Sequence, residues 1–137
     1  MVELQYYNIK TQKEILFPKS FNGTVILLNI NVEHKDNVEL KQLLMNILNA
    51  INIKVENSYV INISSELTLA YELFSIKEVK KIIAFGIHPD MINLKTNLIP
   101  YRVLNILNKN ILFSASLKDL TNNKGLKQKL WKSIKDI

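Results

Sequence analysis

The residues best placed for chemistry are a histidine and an aspartate that follow a short apolar run, in Phe85-Gly86-Ile87-His88-Pro89-Asp90. Open α/β sheets bind ligands just beyond the carboxyl ends of their strands, which is where this pair would lie. His88 could act as a general acid or base with Asp90 as its orienting group, as in a glycosylase-like or other small hydrolase. The same residues suit a structural turn, in which Gly86 permits the bend, Pro89 stiffens it and Asp90 starts a short element. We favour the structural turn.

The rest of the sequence contains few groups that could act together in catalysis. It has no phosphate-cradling glycine loop, no His-Glu-x-x-His and no Gly-x-Ser-x-Gly. There is no cysteine, and His34 with Asp36 has poor spacing for a metal site. The sequence therefore predicts no catalytic residues, no metal and no cofactor.

Apolar residues recur along the chain with two alternating periods. Short, near-continuous apolar runs predict strands over residues 24–30, 59–63, 81–86 and 111–114. Helical spacing of apolar residues predicts helices over residues 40–51 and 66–76. A last helix is predicted after Asn122 or Asn123, either of which could be its N-cap. Its predicted buried stripe is Leu126, Leu130, Trp131, Ile134 and Ile137. Strands that alternate with helices predict an α/β fold with a mostly parallel sheet covered on both faces.

Large apolar side chains also precede the first predicted strand. They are Leu4, Tyr7, Ile9, Ile15, Leu16 and Phe17. They could pack on the sheet, or they could form a segment that folds only against a partner. Our prediction is an N-terminal partner-binding segment over residues 1–22 and a single α/β domain over residues 23–137.

Composition and charge restrict the class of protein. The 137 residues are 47% hydrophobic and contain no apolar run near the ~18 that a membrane span needs. No signal peptide is visible, so we expect a cytoplasmic protein. Residues 77–137 hold eleven lysines and one arginine, Arg102, against four acidic residues. This asymmetry is compatible with a nonspecific nucleic-acid module, but we favour a solvated basic face that results from a lysine-rich codon bias.

The C-terminal region resembles the closing motif of a known family. Ser114-Ala115-Ser116-Leu117-Lys118-Asp119-Leu120 is followed by Asn123, Lys127, Leu130-Trp131 and Ile134. In the psi subunit of bacterial DNA polymerase III, a strand similarly runs into a Ser-x-x-Leu-x-Asp-Leu turn, and a helix follows with a basic residue, Leu-Trp and a final aliphatic. At the other end, Leu4-x-x-Tyr7-Asn8-Ile9 is similar to that family's Leu-x-x-Leu-Gly-Ile opening, with asparagine in place of glycine.

This resemblance implies a non-catalytic accessory subunit in DNA replication. It implies a three-layer α/β/α domain similar in fold to uracil-DNA glycosylases, without their activity. The motif residues Leu117, Asp119, Leu120, Lys127, Leu130 and Trp131 would be structural. The implied anchors for a clamp-loader partner are Leu4, Tyr7, Ile9 and Phe17. A chi-like subunit is a further implied partner, which would give an indirect association with DNA and single-strand-binding protein, with no membrane partner.

Overall fold

Five strands form one sheet in a computed structural model of the chain, which describes residues 17–63, 70–92, 94 and 99–137. The strands are β1 (Thr24–Leu28), β2 (Tyr59–Asn62), β3 (Lys81–Phe85), β4 (Leu104–Ile106) and β5 (Lys109–Ser114). Their order across the sheet is β2-β1-β3-β5-β4. Neighbouring strands are parallel except for β4, which pairs antiparallel with β5. The predicted α/β class with a mostly parallel sheet is confirmed.

Four α-helices accompany the sheet in the described part of the chain. They are α1 (Val38–Asn49), α2 (Ala70–Ser75), α3 (Leu117–Thr121) and α4 (Lys124–Ile134). Short 3-10 turns occupy Lys35–Asn37, Val55–Asn57 and Pro89–Ile92. Within the same described ranges, none of the helices has the length and apolar character needed to cross a membrane.

Both faces of the sheet are covered at its inner strands, which is why β1, β3 and β5 are mostly apolar along their length. On one face, Ile26, Ile83 and Leu112 belong to a core cluster with buried residues of α1, α3 and α4. On the other face, a second cluster contains Leu73 of α2 together with Ile87 and Ile92, which follow β3. The strands contribute their alternate residues to it, namely Val25, Leu27, Ile82, Ala84, Ile111 and Phe113. β1, β3 and β5 therefore contribute alternate side chains to two separate cores, whereas the edge strands β2 and β4 contribute only to the second.

The connections of the sheet reverse direction between β1 and β3. The chain leaves β1 for β2 on one side and then returns to β3 on the other side of β1. Gly86 lies just beyond β3 at this reversal, with a φ of +72°. A Cβ atom on Gly86 would lie 2.6 Å from Asn29 Nδ2 and 2.9 Å from Ser116 Cβ. The residues that follow β1, β3 and β5 therefore converge around a position that requires glycine.

The β4–β5 hairpin was not predicted from the sequence. Its two-residue loop is Leu107-Asn108, with φ values of 52° and 66°, and the flanking pair is Ile106 with Lys109. Two positive φ angles are typical of a type I′ hairpin turn. Leucine is an unusual residue for such a turn and β4 has only three residues, so the sequence pattern is weak.

Lys109 at the start of β5 is buried, with 6% of its surface exposed. Its ammonium donates to the carbonyl oxygens of Ile76 and Val79, each at 2.7 Å. Burial lowers the pKa of Lys109, and the charge of Lys80 lowers it further, whereas Glu78 raises it. The side chain therefore fastens the segment before β3 to the first residue of β5.

Two side-chain caps begin the C-terminal helices. Ser116 Oγ accepts from the Asp119 N–H at the start of α3, and Asn123 Oδ1 accepts from the Leu126 N–H at the start of α4. These bonds satisfy amide groups that have no partner within the helix. Of the two predicted caps for the last helix, the structure shows Asn123.

Candidate functional site

His88 lies at the carboxyl edge of the sheet, as predicted. β3 ends at Phe85, and the Gly86 N–H donates to the carbonyl oxygen of Ser114 at 2.9 Å, which holds the turn beside the end of β5. The 3-10 turn Pro89–Ile92 follows at once. The loop therefore begins at the place where ligands bind in open α/β sheets.

The histidine and aspartate interact mainly through the backbone. The Asp90 N–H donates to His88 Nδ1 at 3.1 Å, and Asp90 Oδ2 lies 3.5 Å from the same nitrogen. A neutral imidazole that accepts at Nδ1 carries its proton on Nε2, so it has no Nδ1 proton to donate to the carboxylate. The two side chains are 51% and 80% exposed. Asp90 therefore does not hold His88 as a catalytic orienting group would.

The other histidine of the chain adopts the same arrangement. The Asp36 N–H donates to His34 Nδ1 at 3.1 Å, with Asp36 Oδ2 3.6 Å away, and His34 is the N-cap of the 3-10 turn Lys35–Asn37. Both sites share the spacing His-x-Asp, and each imidazole caps a turn that follows a parallel strand. The repetition indicates a local capping function that requires no substrate.

A cleft of about 320 Å³ opens beside this loop. Its lining residues are Gly86, Ile87, His88, Pro100, Tyr101, Phe113, Ser114, Ala115 and Leu126. Tyr101 is fixed there by two bonds, since its N–H donates to the carbonyl oxygen of Phe113 and its hydroxyl accepts from the Ala115 N–H, each at 3.0 Å. The described lining is mainly apolar and includes no carboxylate. It could hold an apolar group, but Asp90 is not part of it.

Tyr101 was missed by the sequence analysis. Its φ of 62° lies in the left-handed region, which is uncommon for a residue with a large side chain. The preceding Pro100 marks an irregular segment in the sequence, but no apolar period identifies Tyr101 as a lining residue. Only the tertiary contacts with Phe113 and Ala115 reveal its role.

Metal binding has no support among the residues that the structure describes. In those ranges no three His, Asp or Glu side chains are grouped closely enough to hold an ion. The His34 and Asp36 pair is engaged in its turn instead.

The predicted partner-binding residues fall into two groups. Leu4, Tyr7 and Ile9 lie outside the described residues. Phe17 is described, and its ring stacks on Phe21 with centroids 4.1 Å apart and meets Tyr59 edge-on at 5.2 Å. It is half-buried against the core cluster on the α2 side of the sheet. A partner contact by Phe17 stays a prediction, while its ring here contacts aromatic residues of the same chain.

Residues 18–22 also contact the rest of the chain. The Phe21 N–H donates to the carbonyl oxygen of Pro18 at 3.1 Å, and the Asn22 N–H donates to that of Asn57 at 2.9 Å. The Asn22 side-chain amide donates to Ser58 Oγ at 3.0 Å. The last residues of the predicted N-terminal segment are therefore bonded to the turn before β2.

The aromatic stack predicts a measurable contribution of Phe17 to folding. Phe17→Ala is expected to lower the free energy of unfolding by about 1–3 kcal/mol, because it removes a half-buried ring and two aromatic contacts. Urea unfolding followed by circular dichroism measures the change. Val38→Ala, at a largely exposed position on α1, should stay within about 0.5 kcal/mol of the wild type. Equal stability of the two variants would contradict the packing of Phe17 on this domain.

The residues of the family-like motif form one packed unit. Leu117, Leu120 and Leu130 are fully buried, and Trp131 is half-buried against the same core cluster. Asp119 is exposed, and its N–H donates to Ser116 Oγ at the start of α3. Lys127 is half-buried on α4. The predicted stripe of the last helix is confirmed, with Leu126 partly buried and with Ile134 and Ile137 buried.

Fold and site together define an α/β domain with an apolar cleft at the carboxyl edge of a mostly parallel sheet. In comparisons with known proteins, no family model, no curated protein and no solved structure matched the chain.

Proposed function

We propose that the chain is a non-catalytic accessory subunit similar to the psi subunit of bacterial DNA polymerase III. In this proposal it is an adaptor in DNA replication that docks on the clamp loader through Leu4, Tyr7 and Ile9. The domain behind them is a scaffold with the three layers of the uracil-DNA glycosylase-like fold. A chi-like subunit is its second partner, through which it associates indirectly with DNA and single-strand-binding protein.

The observation that carries the proposal is the use of both histidines as backbone caps. His88 and His34 each accept a main-chain N–H at Nδ1, and each has an exposed aspartate that it does not need for orientation. The pair His88 and Asp90, which was the best candidate for catalysis in the sequence, is thereby explained as part of a local turn. This explanation weakens the case for a hydrolase and so favours the adaptor.

The C-terminal motif gives a second line of support. The span from Ser114 to Ile134 is a strand end, a turn capped by Ser116 and a helix with Leu130 buried and Trp131 packed beside it. This is the order of elements that the psi-like motif implies. This agreement in the order of elements supports the proposed similarity.

A small hydrolase is the alternative function. The cleft of about 320 Å³ favours it, because His88 lines this cleft at the carboxyl edge of the sheet. The exposed position of Asp90 outside the lining weighs against it. We therefore rank the adaptor first.

The docking proposal is tested with the full-length chain and the purified clamp loader of the same host. The triple variant Leu4→Ala/Tyr7→Ala/Ile9→Ala is expected to raise the Kd for the clamp loader about 100-fold or more, since three anchors buried at the interface contribute several kcal/mol to the binding free energy. Surface plasmon resonance on the immobilised chain measures this change. Circular dichroism shows whether the variant keeps its fold.

The matched control removes apolar side chains from the body instead. Val38→Ala/Ile99→Ala/Leu107→Ala changes three exposed positions and should leave Kd within about twofold. Equal weakening by both triple variants would overturn the assignment of the anchors. A wild-type chain that shows no binding to the clamp loader would overturn the proposed function itself.

A further inference from the structure

A second groove, of about 540 Å³, lies between α4 and the segment that precedes β4. Its lining residues are Tyr101, Arg102, Val103, Lys129, Lys132, Ser133 and Asp136. Arg102, Lys129 and Lys132 are exposed. Among the described residues, no carboxylate oxygen lies within 4.0 Å of any of these three cationic groups. The groove therefore presents three positive charges without an ion-pair partner.

The packing of α4 places these lysines at the surface. Leu130 and Ile134 are buried in the core, so the opposite side of the helix faces away from the sheet. Lys129 and Lys132 are three residues apart, which puts neighbouring side chains about 5–6 Å apart at their Cβ atoms. The helix carries no acidic residue, and further lysines extend the positive surface along it at Lys124, Lys127 and Lys135.

Arg102 and Tyr101 form the opposite side of the groove. Arg102 is the single arginine of the chain. It follows Tyr101, whose main-chain and hydroxyl bonds to Phe113 and Ala115 hold the segment against the end of β5. Tyr101 is half-buried: it lines the groove and also packs against the core cluster that contains Leu130. The groove thus combines two ammonium groups, one guanidinium group and an aromatic residue with the single carboxylate of Asp136.

We propose that this groove binds single-stranded nucleic acid. Arg102, Lys129 and Lys132 would contact phosphates, and the ring of Tyr101 would stack with a base. A positively charged channel with an aromatic platform is the combination that recognises single strands without sequence preference. An acidic peptide would use the cations but would have no need of the ring. This inference is independent of the proposed docking on a clamp loader, which uses residues at the other end of the chain.

Salt-dependent binding of a fluorescent oligo(dT) tests the inference with the full-length chain. Anisotropy titrations between about 50 and 200 mM salt should show affinity falling steeply as salt rises. Arg102→Gln/Lys129→Gln/Lys132→Gln should weaken binding about tenfold or more and reduce the slope of log K against log salt by about 2, at ~0.7 for each phosphate contact. Tyr101→Leu, which removes the aromatic ring, should also weaken binding, by about fivefold or more, because the stacking contact with a base is lost.

The control removes the same charge from another surface. Lys19→Gln/Lys35→Gln/Lys54→Gln changes three exposed lysines of the N-terminal half and should alter binding less than about twofold. An equal loss of oligo(dT) affinity in the two triple variants would show an effect of net charge alone and would overturn the assignment of binding to the groove. Undetectable oligo(dT) binding by the wild type at the lowest salt would also overturn it.

Two competing ligands complete the test. One is a poly-glutamate peptide. If this peptide binds through Arg102, Lys129 and Lys132 and oligo(dT) does not, the groove belongs to an acidic protein partner and the proposal is overturned. A duplex that binds as tightly as the single strand would remove the role of the aromatic face and overturn the preference for single strands. Weaker binding of both than of oligo(dT) supports the proposal.

Discussion

Replacing Gly86 by alanine is expected to lower the free energy of unfolding by about 3 kcal/mol. The backbone has a φ of +72°, where an L residue is strained. The new Cβ would also lie 2.9 Å from Ser116 Cβ, which is only one bond from the backbone and cannot rotate away. Equilibrium unfolding in urea, followed by circular dichroism, measures the loss.

Gly125→Ala is the matched control for this prediction. Gly125 is inside α4 at a helical φ, and the nearest atom to an added Cβ is Asn123 Oδ1 at 3.2 Å. Alanine favours helix over glycine by about 1 kcal/mol, so this variant should stay within about 1 kcal/mol of the wild type. A similar loss in both variants would contradict the special role of Gly86.

A double variant separates the two causes at Gly86. Asn29 is exposed and its amide can swing aside, although Nδ2 lies only 2.6 Å from the added Cβ position. Gly86→Ala/Asn29→Ala should therefore regain less than about 1 kcal/mol of the lost stability. Full recovery would show that the amide, and not the φ angle or Ser116, limits this position.

Lys109→Met is expected to destabilise the fold by a similar amount, about 3 kcal/mol. Methionine can replace the apolar stem of the side chain, but the carbonyl oxygen of Val79 loses the lysine donor and that of Ile76 keeps only the Val79 N–H, at 3.2 Å. Both bonds are 2.7 Å long and come from a charged group, which makes them stronger than neutral hydrogen bonds. Lys118→Met, at an exposed position on α3, should change stability by less than about 0.5 kcal/mol.

The lowered pKa of Lys109 also predicts a dependence on pH. Between the lowered pKa of the folded chain and the ordinary value of 10.5, the unfolded chain binds more protons at this group. The contribution of Lys109 to stability therefore rises as pH increases through that interval and is constant below it. As pH rises through that interval, the unfolding free energy of the wild type should therefore increase relative to that of Lys109→Met. A difference that narrows there would contradict this direction.

The features that sequence predicted correctly are those that depend on local pattern. The strand that ends at Phe85 and the helix that contains Leu130 were predictable because burial on two faces or on one stripe leaves a clear apolar period. Asn123 was predictable as a cap because its side chain acts on an amide only three residues away. These interactions are contained within a few residues of chain.

The features that sequence analysis missed depend on distant contacts. Lys109 has the composition of a surface residue, and only the position of the carbonyls at Ile76 and Val79 explains its burial. The cleft beside His88 is similarly created where Tyr101 meets Phe113 and Ala115. The structural turn at His88, which the sequence favoured, is by contrast local, because the imidazole accepts from an N–H only two residues away.

The position of β1 inside the sheet has a consequence for the order of folding during synthesis. β1 leaves the ribosome first among the described strands, yet it pairs on one side with β2 and on the other with β3, which follows α1, β2 and α2. Parallel pairing over such separations is slow, because a long loop must close before any contact forms. The pairing of β1 with β3 therefore has to wait on the nascent chain until residues 81–85 have been made, and we expect the closure of this pair to be a slow step of folding.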